Sequence, residues 1–126
     1  MAITTLSYKT DSDVVKTEGP NRYSRDEWEL PANFGAHPVG TVISKITATG
    51  VPAIFDPEGE DGEETPLAVL LESVEDRTAA QRVVVLSRHA EVVRQALVWP
   101  AGTTNTEITA ALVALEERGI VARQGV

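Results

Sequence analysis

The run from Leu97 to Ile120 constrains this chain most, because it carries a complete set of helix start and stop signals. Thr104 and Glu107 have the capping-box spacing, in which hydroxyl and carboxylate reciprocally satisfy orphan backbone donors at a helix start. Ile108, Ala111, Leu112 and Leu115 then recur at helical spacing, which predicts one stripe facing a core. Gly119 suits the left-handed position that ends a helix, and Ile120 is expected to fold back on Leu115. Ahead of the helix, Leu97-Val98-Trp99-Pro100-Ala101-Gly102 supplies large apolar anchors and no catalytic group. The run reads as architecture.

A chain of 126 residues has room for one domain and little room for a second core. Hydrophobic residues make up 42% of it and aromatic residues only 5%, so aliphatic and β-branched side chains must fill the interior. Cysteine is absent, which excludes disulfides, thiol catalysis and thiolate metal sites. Eleven basic against 19 acidic residues give a formal charge of −8, which repels phosphate backbones and anionic lipid. Nucleic acid and membrane are therefore not expected as partners. The start of the chain lacks the basic region and apolar run of a signal peptide, so a soluble protein made in a cytoplasm is expected.

Residues 1–25 form a first compositional unit. Ile3-Thr4-Thr5-Leu6-Ser7-Tyr8 has strand-forming chemistry, whereas Asp11 to Asn21 is polar, acidic and broken by Gly19-Pro20. The segment reads either as a disordered tail or as an arm that adds a strand to an exposed sheet edge on a partner. For the arm, the candidate contacts are Ile3, Thr4, Thr5, Leu6, Ser7, Tyr8, Val14, Val15 and Tyr23. Residues 26–126 are expected to form the domain. Within it Thr41 to Thr47, Val51 to Phe55 and Leu67 to Leu71 read as strands, and Arg82 to Leu86 as a strand covered on both faces. Residues 88–97 fit a helix or a strand.

The chain shows little that could carry chemistry. Asp56 to Glu64 offers hard oxygen ligands, but a calcium loop starting at Asp56 needs glycine and glutamate where Asp61 and Leu67 stand. A solvated hairpin loop is the expectation, with no metal and no cofactor. His37 and His89 lack partners at ligand spacing, and Ser24 and Ser87 lack a nucleophile elbow. No enzyme is expected. Trp99 reads first as a core anchor and second as a subunit contact, together with Pro100. Trp28, at the junction of arm and domain, could serve either side.

Leu97-Val98-Trp99-Pro100, the capped helix and Gly119-Ile120-Val121-Ala122-Arg123 are preceded by Ile54-Phe55-Asp56-Pro57, Asp61-Gly62 and Ala68-Val69-Leu70-Leu71. In that order they resemble the lambda-type head decoration proteins of tailed bacteriophages, over roughly residues 24–123. The chain departs from that pattern at Ser87-Arg88-His89, where a small glycine-containing turn is expected, and at Leu70, where a glycine is. The resemblance implies an α+β, mainly β domain of the β-clip kind, with an extended N-terminal arm and one C-terminal helix. It places strand near His89 to Arg94 and a helical turn near Ala96 to Trp99. It also implies a structural capsid decoration protein, bound as a homotrimer to the major capsid protein on the outside of the mature head and stabilising it against internal DNA pressure. The alternative is a virion-surface β-domain recognising a host glycan or receptor.

Overall fold

The computed structural model describes residues 10–20 and 23–124, and the fold is α+β and mainly β. A one-turn helix α1 (Asp11–Val14) leads into β1 (Val15–Glu18). Then follow β2 (Arg25–Leu30), β3 (Val42–Lys45), β4 (Pro52–Ile54), β5 (Ala68–Leu70), β6 (Gln81–Leu86) and β7 (Ala90–Val93). A 3₁₀ turn (Arg94–Ala96), helix α2 (Asn105–Glu117) and β8 (Ile120–Arg123) complete the order. Five strands form an antiparallel sheet in the order β2-β6-β5-β3-β4, and three form a second sheet in the order β1-β7-β8. In the smaller sheet β7 and β8 run parallel, which requires a crossover, and α2 supplies it.

The centre of the five-stranded sheet is buried on both faces because β3, β5 and the end of β6 are apolar at successive positions. Val42 and Ile43, Val69 and Leu70, and Val85 and Leu86 send neighbouring side chains into two different clusters. One cluster fills the side of Trp28, Leu30 and Ile43; the other joins Val42, Val69 and Leu86 to the smaller sheet and to α2. Of residues 82–86, expected to be covered on both sides, Val85 and Leu86 are fully buried by this layering, whereas Arg82 is exposed.

Helix α2 begins and ends as its sequence predicts. Glu107 N–H donates to Thr104 Oγ1 at 3.2 Å and Thr104 N–H to the Glu107 carboxylate at 2.9 Å. Ala111 and Leu115 are buried, with Ile108 and Leu112 half-covered beside them. Gly119 sits at φ +85°, where a Cβ would stand 3.1 Å from the His89 nitrogen, so conformation and space both demand glycine. Its N–H donates to Glu116 O at 2.9 Å, and Leu115 and Ile120 share one cluster. The expected glycine turn after β6 is replaced by His89 itself in the left-handed region, at φ +45°.

Three expectations need correction. The segment 1–25 is not a separate unit in its described part, because α1 and β1 are built into the domain: Val14 is fully buried and Val15 pairs with Val92. Val14 and Val15 are therefore domain residues, held by a core that the local acidic sequence does not reveal. Strand β2 begins at Arg25, within the expected arm. The helical turn falls at Arg94–Ala96, two residues earlier than expected, because Leu97 to Trp99 is extended and bonded to β3: Val42 N–H donates to Val98 O at 3.2 Å and Val98 N–H to Gly40 O at 2.9 Å.

Candidate functional site

Two arginines fasten the N-terminal segment to the domain. Arg25, the first residue of β2, places Nε 2.8 Å and Nη2 2.7 Å from the two Glu18 carboxylate oxygens, and Nη1 3.1 Å from Asp11 Oδ2. Its charge is fixed by these contacts, the Glu18 hydrogen bonds first, which push its pKa further up. The second, Arg88, donates from Nη1 to Tyr23 O at 2.7 Å and to Asp26 Oδ1 at 3.1 Å, while Nη2 pairs with Asp26 Oδ2. Ser87 Oγ adds a hydrogen bond to Asp26 Oδ2 at 2.6 Å. Ser24 Oγ accepts from Gly19 N–H and donates to His89 O, both at 2.8 Å. Both serine hydroxyls are thus committed to holding backbone segments together.

Hydrogen bonds from Arg88, with a further one from Ser87, hold the Asp26 carboxyl below its ordinary value against the opposing effect of burial. Since the folded-state pKa lies below the unfolded one, this stabilisation is present above the ordinary carboxylate range and is lost as pH falls through the depressed value. Asp26→Asn is expected to lower Tm at neutral pH and to lose less on acidification than the wild type. Parallel Tm curves for the two proteins from neutrality into strong acid would show that the pair contributes no pH dependence.

The network displays Tyr23. Its ring is 57% exposed, lies 5.4 Å from the His89 ring and has the Arg88 guanidinium 5.6 Å from its centroid. Of the other expected contacts, Ile3, Thr4, Thr5, Leu6, Ser7 and Tyr8 lie outside the described residues. Trp28 is a core residue of the five-stranded sheet, with Lys45 Nζ 4.2 Å from its ring centroid, and both line a groove of about 500 Å³. Trp99 is half-buried and packs edge-on against Phe55 at 5.7 Å. Pro100 O accepts from Thr103 Oγ1 at 2.6 Å and from Thr103 N–H at 3.2 Å, which shapes the turn before α2. The structure does not bring Trp28 together with Trp99 and Pro100. Sequence reasoning missed Arg25, Arg88 and Asp26; the one signal was the polar Ser87-Arg88-His89 turn itself.

The acidic loop is anchored by its backbone, and two of its carboxylates turn back on it: Asp56 Oδ1 accepts from Glu58 N–H at 3.0 Å and Glu64 Oε2 from Gly62 N–H at 2.9 Å. Thr47 N–H donates to Asp61 O and Asp56 N–H to Glu63 O, both at 2.8 Å. Gly62 holds φ +116° there, where a Cβ would meet Lys45 O at 2.6 Å. The Glu63 carboxyl is raised by desolvation first and then by Asp61, Asp56 and Glu64. Among the described residues no three histidines or carboxylates converge as a metal would need. Among them, too, no helix is long and apolar enough to cross a membrane.

A second groove, of about 510 Å³, is lined by Leu97, Trp99, Ile108 and Ala122 together with the polar Arg94, Gln95, Asn105 and Gln124. It lies beside β8, an edge of the smaller sheet, where no further described strand pairs.

The described residues thus form a mainly β domain with a fastened N-terminal root and open sheet edges. The family model of bacteriophage lambda head decoration protein D matches residues 4–120, and the chain belongs to that family. It is a structural capsid protein of the phage virion. No curated protein sequence matches the chain.

Proposed function

We propose that the protein binds the outer surface of the mature phage head as a homotrimer, contacts the major capsid protein, and holds the shell against the pressure of packaged DNA. The role requires no reaction and no cofactor. It suits a subunit of charge −8, which DNA inside the shell repels and the outside does not. Synthesis in the host cytoplasm and a β-clip topology belong to the same reading.

One observation carries it: within a capsid decoration family, this chain's uncharged, strand-forming segment Ile3 to Tyr8 precedes a root fastened by Arg25. A fixed root limits where the segment can search, and strand addition to a capsid edge gives affinity through main-chain hydrogen bonds. Three such arms on one trimer raise each other's effective concentration, so contacts weak singly become durable together. A clamp across subunit junctions then opposes their separation. The exposed Tyr23, beside the root, is the second contact.

Deletion of residues 1–9 tests the reading, because it spares Val14, Glu18 and Asp11. The shortened protein is expected to melt with the full-length one and to lose cosedimentation with expanded, undecorated heads. Retention of full-length affinity would eliminate the arm. Sedimentation equilibrium checks the trimer.

A further inference from the structure

The turn at Gly62 has room for glycine alone. Its φ is +116°, and a Cβ there would stand 2.6 Å from Lys45 O, 2.7 Å from Thr47 N and 2.3 Å from Thr47 Oγ1. The residue before it is Asp61, which is exposed. Nowhere else in the sequence does an aspartate or asparagine precede a glycine. The consequence is chemical. An aspartate side chain can be attacked by the backbone nitrogen of the next residue, and a Cβ on that residue is what ordinarily hinders the approach. At Asp61 the fold forbids that hindrance. Asp56, in the same loop, is followed by Pro57, whose nitrogen has no proton to lose.

We propose that Asp61–Gly62 is a site of covalent modification by backbone isomerisation, through a succinimide to isoaspartate, and that Glu64 is its brake. In the first step the Gly62 nitrogen bonds to Cγ of the protonated Asp61 carboxyl. The Cγ–OH bond breaks, and the hydroxyl leaves as water with the proton from nitrogen. Water then opens the ring at either carbonyl, returning aspartate or giving isoaspartate, in which the main chain runs through Cβ and Cγ. The nitrogen that must lose its proton is already engaged, because Gly62 N–H donates to Glu64 Oε2 at 2.9 Å. Ring closure forfeits that hydrogen bond, since the imide nitrogen carries no hydrogen. The product also fits the turn poorly. It adds one carbon to the main chain between Asp61, whose O accepts from Thr47 N–H at 2.8 Å, and Gly62, wedged against the same threonine. A virion outside a cell replaces none of its subunits, so a slow reaction of this kind accumulates.

The test incubates the full-length protein at physiological temperature and pH beside the free peptide of residues 58–66, and locates isoaspartate by mass spectrometry after proteolysis. Isoaspartate is expected at residue 61 and at no other position, forming more slowly than in the peptide, where no fold holds the nitrogen. Glu64→Ala is expected to raise the protein's rate roughly two- to tenfold, the factor that one hydrogen bond represents. Glu64→Gln, whose side-chain carbonyl still accepts, is expected to stay close to the parent, which separates a lost hydrogen bond from a loosened loop. The isomerised fraction, isolated by ion exchange, is expected to melt below the unmodified protein. Isoaspartate absent from residue 61 of Glu64→Ala once the peptide is half converted, equal rates in Glu64→Ala and the parent, or faster reaction at another position would overturn the proposal.

Discussion

A chain cut back to begin at Asn21 is expected to lose a large part of its stability, whereas one cut back to Thr10 keeps it. The longer deletion removes Val14, whose fully buried side chain alone contributes about 1.5–3 kcal/mol. It also strips β1 from β7, leaving Ala90, Glu91 and Val92 paired on the β8 side alone, and it takes both carboxylates from Arg25. That arginine is only one-fifth exposed, so it would be left charged, half-covered and unpaired. Urea unfolding of the two truncations checks the expectation. Coincident midpoints would mean that residues 10–20 rest on the surface and contribute nothing. The comparison also decides how head binding is to be tested, since loss of binding by the longer truncation would report unfolding as readily as a missing arm.

Leu115→Ala is the second large effect, expected at about 2–5 kcal/mol because a fully buried leucine leaves a cavity that its neighbours fill only in part. The neighbours come from elements distant in sequence: Val14, Leu86, Val92 and Ile120 belong to the same cluster. Collapse around the vacancy would therefore have to move α1, two sheets and the helix together. Thr104→Ala, by contrast, removes one cap hydrogen bond at an exposed helix start and is expected to cost ~1 kcal/mol. Denaturant melts in which the cap variant is the less stable of the two would show that α2 is held by its ends and not by its buried stripe.

Helix α2 was legible because its determinants are local: cap, stripe and terminal glycine lie within sixteen positions of one another, from Thr104 to Gly119. The strands β3 to β6 were legible to within one or two residues from their β-branched runs. What escaped was non-local. In Asp11 to Glu18 only Val14 and Val15 are apolar, and their burial depends on Val92, which nothing nearby announces. The alternation of Trp28 and Leu30 with Glu27 and Glu29 was a strand signal for β2, masked by its charge. β8 is short enough that Ile120 was expected only as a contact ending the helix. The Arg88–Asp26 pair joins residues 62 apart, and the Arg25–Glu18 pair joins β2 to β1 across the Gly19-Pro20 break.

Both sheets are open, and an open sheet edge is a template for uncontrolled pairing between molecules. Each of the four edges is blunted in its own way. β1 is four residues long with a register break between Val15 and Thr17; β2 carries exposed Glu27 and Glu29 and is followed by Pro31. β4 has three residues and opens on Pro52, and β8 ends on an exposed Arg123. Such edges disfavour the stacking of identical chains into fibres. They leave pairing to a segment that brings its own strand.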